Sequence, residues 1–108
     1  MFEEKIKVCR EWFYGIKVLY ADKLDISIAV DDSNEFVANI DSAHHLGQLC
    51  VSQPDFRPYD FVEFTILAMR QDSDQVPTFW YGDRAEDTVQ DIINNLNRGL
   101  NILLEESY

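Results

Sequence analysis

Four glycines, three prolines and two cysteines are all that this 108-residue chain holds of the residues that loosen, bend or bridge a backbone. Each scarcity excludes something. Two cysteines, Cys9 and Cys50, make no disulfide framework and read as reduced thiols of a cytosolic protein. Scattered glycines leave no glycine-rich phosphate loop. No apolar run is long enough to span a bilayer, and no basic-then-apolar leader opens the chain, which predicts a cytoplasmic protein. There is no repeat, linker or low-complexity segment. Positive charge is scarce as well, with nine lysines and arginines against twenty acids and a formal net charge of −11.

That charge is unevenly placed. Lys5, Lys7, Arg10, Lys17 and Lys23 lie before Leu24 beside four acids, for +1, whereas the remainder sets sixteen acids against Arg57, Arg70, Arg84 and Arg98, for −12. Such a body repels phosphate, so nucleic acid and anionic membrane surfaces are disfavoured as partners. It attracts a basic protein and speeds the encounter at low salt.

The length allows one domain, and 46% apolar residues allow an ordinary core. Phe2 to about Tyr20 reads as an amphipathic helix, with Ile6, Cys9, Phe13, Ile16 and Tyr20 at spacings of three and four. Trp12 and Leu19 widen that stripe. Gly15 is either a weak point or a place where something packs close. The period then drops to two. Leu24, Ile26, Ile28 and Val30 alternate with Asp25, Ser27, Ala29 and Asp31, and after the Asp31–Asn34 turn Phe36, Ala38 and Ile40 alternate with Val37, Asn39 and Asp41. A third strand, Leu46 to Gln53, sets Gly47, Leu49 and Val51 against Gln48, Cys50 and Ser52. The turn between Pro54 and Pro58 follows.

Tyr59 to Arg70 is the central strand. Val62, Phe64, Ile66 and Ala68 make an apolar face, and Phe61, Glu63, Thr65, Leu67 and Met69 a mixed one. After the polar turn Gln71–Gln75, Val76 to Tyr81 reads as an edge strand carrying Pro77. The closing segment is the clearest helix. Asp83 with Glu86 has capping-box spacing, and Glu86 and Asp87 suit a helix start. Val89, Ile92, Ile93, Leu96, Leu100, Leu103 and Leu104 form its stripe. Gly99 beside it marks either a close approach to the first helix or a tolerated defect.

Helix, five strands in sequence and helix predict an α+β two-layer sandwich. Its sheet is an antiparallel five-stranded meander, with the N- and C-terminal helices on one face. The other face then shows Asp25, Ser27, Asn39, Asp41, Gln48, Glu63 and Thr65, with Trp80 at the edge. It reads as a docking face for a partner protein rather than a pocket. The exposed aromatics Phe56, Tyr59, Trp80 and Tyr81 read either as interface anchors or as rim of the core.

No catalytic, cofactor or metal constellation emerges. Adjacent His44 and His45 point apart on a strand, so with Asp41 and Cys50 they are not read as a metal cluster. Asp72-x-Asp74 opens like a calcium loop, but Pro77 occupies its obligatory glycine position. Cys50 with His44 or His45 matches no nucleophile signature. Twenty acids make chance carboxylate pairs common, which removes their diagnostic value.

The run Asn39-Ile40-Asp41-Ser42, then Leu46-Gly47-Gln48-Leu49-Cys50-Val51, then Asp60-Phe61-Val62-Glu63-Phe64, resembles the middle of the TriTu immunity proteins, and the flanking elements fit the same layout. Where many relatives place an aromatic–acid turn after the third strand, this chain reads Ser52-Gln53-Pro54-Asp55-Phe56. The resemblance implies a bacterial antitoxin that binds and silences a cognate toxin delivered by a type VI (Rhs) secretion system. In the namesake case that toxin is an ADP-ribosyltransferase acting on elongation factor Tu. The expectation is therefore a free monomer that forms a one-to-one complex with a basic toxin domain. An acidic secretion chaperone, which would dimerise, is the second reading. A small enzyme using Asp41 and Glu63 is the third.

Overall fold

A computed structural model describes residues 2–52, 61–68 and 78–104. The elements run α1 (Phe2–Leu19), β1 (Asp25–Asp31), β2 (Glu35–Asp41), β3 (His45–Ser52), β4 (Val62–Ala68), β5 (Phe79–Gly82) and α2 (Val89–Leu103). The sheet order is β1-β2-β3-β4-β5, antiparallel throughout. Both helices pack on one side of it, giving the α+β two-layer sandwich that the periodicity predicts. The turns at Pro54–Pro58 and Gln71–Gln75, the strand ends at Tyr59, Asp60, Met69, Arg70, Val76 and Pro77, the calcium-like Asp72–Asp74 run and Phe56 lie outside the described residues.

The layers meet on alternate strand residues. Phe36, Ala38, Ile40, Leu49, Val51, Val62, Phe64 and Ile66 are fully buried against Phe13 of α1 and Ile92 and Leu96 of α2. Edge-to-face rings tie the layers together, Phe13 on Phe36 at 5.2 Å and Trp12 on Phe64 at 5.9 Å, and within the sheet Phe64 meets Phe79 at 6.0 Å. The Trp12 indole N–H donates to Asn97 Oδ1 at 2.8 Å and pins the two helices to each other.

Five expectations are corrected. First, α2 is capped by Thr88, not Asp83. The Asp91 N–H donates to Thr88 Oγ1, and the Thr88 N–H donates back to the Asp91 carboxylate, a reciprocal capping box. Glu86 and Asp87 precede the helix, and Asp87 instead accepts from the Tyr81 hydroxyl and the Arg84 N–H.

Second, β1 carries a bulge at Ala29. Ile28 pairs with Ala38 but Val30 with Val37, so the alternation flips. Val30 joins the side facing away from the helices and Asp31 turns toward them. There it accepts from Arg10 Nε at 2.8 Å and from the Tyr14 hydroxyl at 2.7 Å, tethering the hairpin to α1.

Third, Phe61 precedes β4 and escapes its alternation. It is buried, with its ring under the Lys5 ammonium of α1. Fourth, Leu19 is 71% exposed, two turns past Trp12 and beyond Ile16, the last buried residue of α1. Fifth, the close approach at Gly99 is to the sheet. A β-carbon there would stand 2.6 Å from the Phe64 ring, whereas one at Gly15 meets nothing within 4 Å.

Candidate functional site

Strand register assembles the side facing away from the helices row by row. Ser27, Asn39, Gln48, Thr65 and Trp80 stand opposite one another in a single row across all five strands. Asp25, Asp41, Leu46 and Leu67 form the next row, toward the β2–β3 turn. Val30, Val37, Cys50, Glu63 and Gly82 form a third, and Glu35 beside Ser52 begins a fourth. All eight residues expected on this face are therefore on it. Asp25, Ser27, Gln48, Glu63 and Trp80 are exposed, and Asn39, Asp41 and Thr65 half-buried. Trp80, 54% exposed, ends its row on the edge strand β5.

Between the first two rows lies a hollow of about 370 Å³. Asn39, Asp41, Gln48 and Thr65 supply its polar wall, Leu46 and Leu67 its apolar wall, and Gly47 part of its floor. The Asp41 carboxylate is oriented there by the Gly47 N–H, which donates to Oδ1 at 3.3 Å. The hollow is an open recess within this broader face. Leu46 and Glu35 were missing from the expected face although plain alternation places them with Gln48 and with Val37. Val30 was missing because the bulge leaves no mark in the sequence. Four carboxylates, Asp25, Glu35, Asp41 and Glu63, stand on the described strands of this face, with no lysine or arginine among them.

A pairing of Cys50 with His45 does not fit this geometry. Cys50 lies on the open face, while His45 has the opposite parity and faces the helices. Desolvation first, then the nearby Glu63 and Glu35 carboxylates, push the Cys50 thiol up, away from the reactive thiolate. The same parity separates His45 from Asp41 and Cys50 as a metal set.

A second titratable cluster is closed off inside the core. Lys5 Nζ donates to Asp83 Oδ2 at 2.5 Å, the Val62 N–H donates to Asp83 Oδ1 at 2.8 Å, and Cys9 and Tyr81 lie close by. Lys5 is 6% exposed, Asp83 1% and Cys9 0%, so no substrate reaches them. Burial, reinforced by the Asp83 charge, pushes the Cys9 thiol from an ordinary 9.0 up to about 12. Burial and the hydrogen bond donated to Asp87 also push the Tyr81 phenol up.

Raised folded-state values favour the neutral forms, so their stabilisation is present below pH 9 and drains as pH rises through 9 toward 12. The expected result is a melting temperature that falls above pH 9, with a shallower fall in Cys9→Ala and Tyr81→Phe. A profile of equal slope in those variants contradicts the assignment.

No protein-family model, no curated protein and no solved structure matches the chain. Among the described residues no helix is long and apolar enough to cross a membrane.

Proposed function

We propose that the chain is a bacterial immunity protein that docks a basic toxin domain on its open sheet face and neutralises it by covering the toxin's active site. The observation that carries this reading is the composition of that face. Four carboxylates and the amide–hydroxyl row share the face with a hollow that Asp41 lines, with an exposed tryptophan at the edge and no lysine or arginine on the described strands. Interfaces of this kind combine an aromatic anchor with charge complementarity that steers encounter. The net charge of −11 extends the steering field beyond the face itself. The resemblance to the TriTu immunity proteins narrows the toxin to an ADP-ribosyltransferase of a type VI (Rhs) system and the compartment to the cytoplasm. Asp25, Asp41 and Glu63 meet the toxin's basic residues, Ser27, Asn39, Gln48 and Thr65 hydrogen-bond across the centre, and Trp80 packs at the rim.

Co-expression with the product of the adjacent upstream gene tests the reading. A one-to-one complex is expected by size exclusion with light scattering. Its association rate should fall at least ~10-fold between low and high salt. Asp41→Lys with Glu63→Lys should abolish the complex while leaving the circular dichroism spectrum unchanged. No complex at low salt, with the isolated chain a stable dimer, points to a secretion chaperone instead.

A further inference from the structure

The geometry points to one occupant for the hollow on the open face: the guanidinium of an arginine side chain from the docked partner. The assignment rests on the docking reading above and adds the group that would anchor it. The polar wall consists of hydrogen-bond acceptors or groups that can turn an acceptor inward: the Asp41 carboxylate, the side-chain carbonyls of Asn39 and Gln48, and the Thr65 hydroxyl. Among the described residues, no lysine or arginine lines the hollow to complete the carboxylate. The Gly47 N–H engages Asp41 Oδ1 only at 3.3 Å and leaves Oδ2 to be used.

Other occupants are disfavoured by the same wall. An anion meets Asp41 without a compensating cation. An apolar group strips water from four polar side chains and returns no hydrogen bond.

The choice between the two basic side chains follows from shape. Register places Leu46 opposite Leu67 at one side of the hollow, which suits the aliphatic stem of a long side chain. Acceptors spread over three adjacent strands match a planar fork of five N–H donors better than the compact ammonium of lysine. Guanidinium is also the less strongly hydrated cation, so entering a half-enclosed site costs it less. Asp41 and guanidinium then form a charge-assisted pair, with Gln48 and Thr65 taking the remaining donors.

The test uses the free protein, labelled with ¹⁵N, and titrates Nα-acetyl-arginine amide against its neutral analogue Nα-acetyl-citrulline amide. Saturable shifts are expected at the amides of Gly47, Gln48 and Thr65 with arginine, and binding ~5-fold or more weaker with citrulline. Asp41→Asn should weaken arginine by a similar factor. Glu11→Gln, which removes the same charge from an exposed position on α1, should leave it unchanged. Gln48→Ala, an exposed position that perturbs folding least, should weaken it as well and stands in if Asp41→Asn does not fold.

Equal shifts with citrulline, unsaturating shifts spread over every acid, or equal losses in Asp41→Asn and Glu11→Gln each overturn the arginine site. Those outcomes are independent of whether a toxin co-purifies, so the anchor and the docking reading fail separately.

Discussion

Replacing Lys5 by methionine should cost about 3–5 kcal/mol, because it leaves the Asp83 carboxylate charged and alone at 1% exposure. In a domain of this size that lowers the melting temperature by roughly 12–20 °C. The pair is worth much less than this number suggests. Two buried charges have already surrendered their hydration, so most of the loss measures stranding one partner, not the attraction between them. The double variant Lys5→Met/Asp83→Asn makes the distinction. An asparagine keeps an oxygen to accept from the Val62 N–H and carries no charge. It should recover to within about 1–2 kcal/mol of the parent. Urea melts of the four members of this cycle give the answer. A Lys5→Met variant as stable as the parent would show that water reaches the pair.

The second large effect concerns two glycines that occupy space no side chain can share. A β-carbon at Gly47 would lie 2.6 Å from the Ile40 carbonyl oxygen and 3.4 Å from both δ-carbons of Leu103. One at Gly99 would lie 2.6 and 2.9 Å from ring atoms of Phe64. Alanine at either position should destabilise by about 1–3 kcal/mol through overpacking. The two should answer differently to relief. At Gly99 the obstacle is a side chain, so Phe64→Leu should recover part of the loss, giving a favourable coupling. At Gly47 the nearest obstacle is backbone, and trimming Leu103 should recover nothing. Gly15→Ala is the control, since nothing stands within 4 Å, and the better helix propensity should stabilise by about 0.5–1 kcal/mol. Equal responses at all three positions would refute this packing account.

Most of the architecture was legible because apolar spacing does two jobs at once. It sets the local period and marks the side that must be buried. Ile6, Cys9, Phe13 and Ile16 on α1, and Phe36, Ala38 and Ile40 on β2, follow it without exception. The open face was legible for the same reason, as the complement of the core.

What stayed hidden were departures that leave the pattern intact. The Ala29 bulge lets Val30 change sides while the written alternation continues, because an extra residue in one strand is defined only by its partner. Asp83 and Thr88 each head a segment with capping spacing. Only the position of Lys5, far away in the chain, draws Asp83 inward and leaves the cap to Thr88. The hollow was invisible because it belongs to no strand alone. Asp41, Gln48 and Leu67 come together only once three strands are in register.

The strict division between the two sides of the sheet has a consequence for how such a chain changes over generations. Asn39, Gln48, Glu63 and Thr65 sit beside Ile40, Leu49, Phe64 and Ile66 in sequence, yet their side chains leave through the opposite surface and fill none of the core. One set of positions can therefore change while its immediate neighbours are held fixed by packing. A descendant could remodel the open surface by single, nearly neutral steps and never pass through an unfolded ancestor.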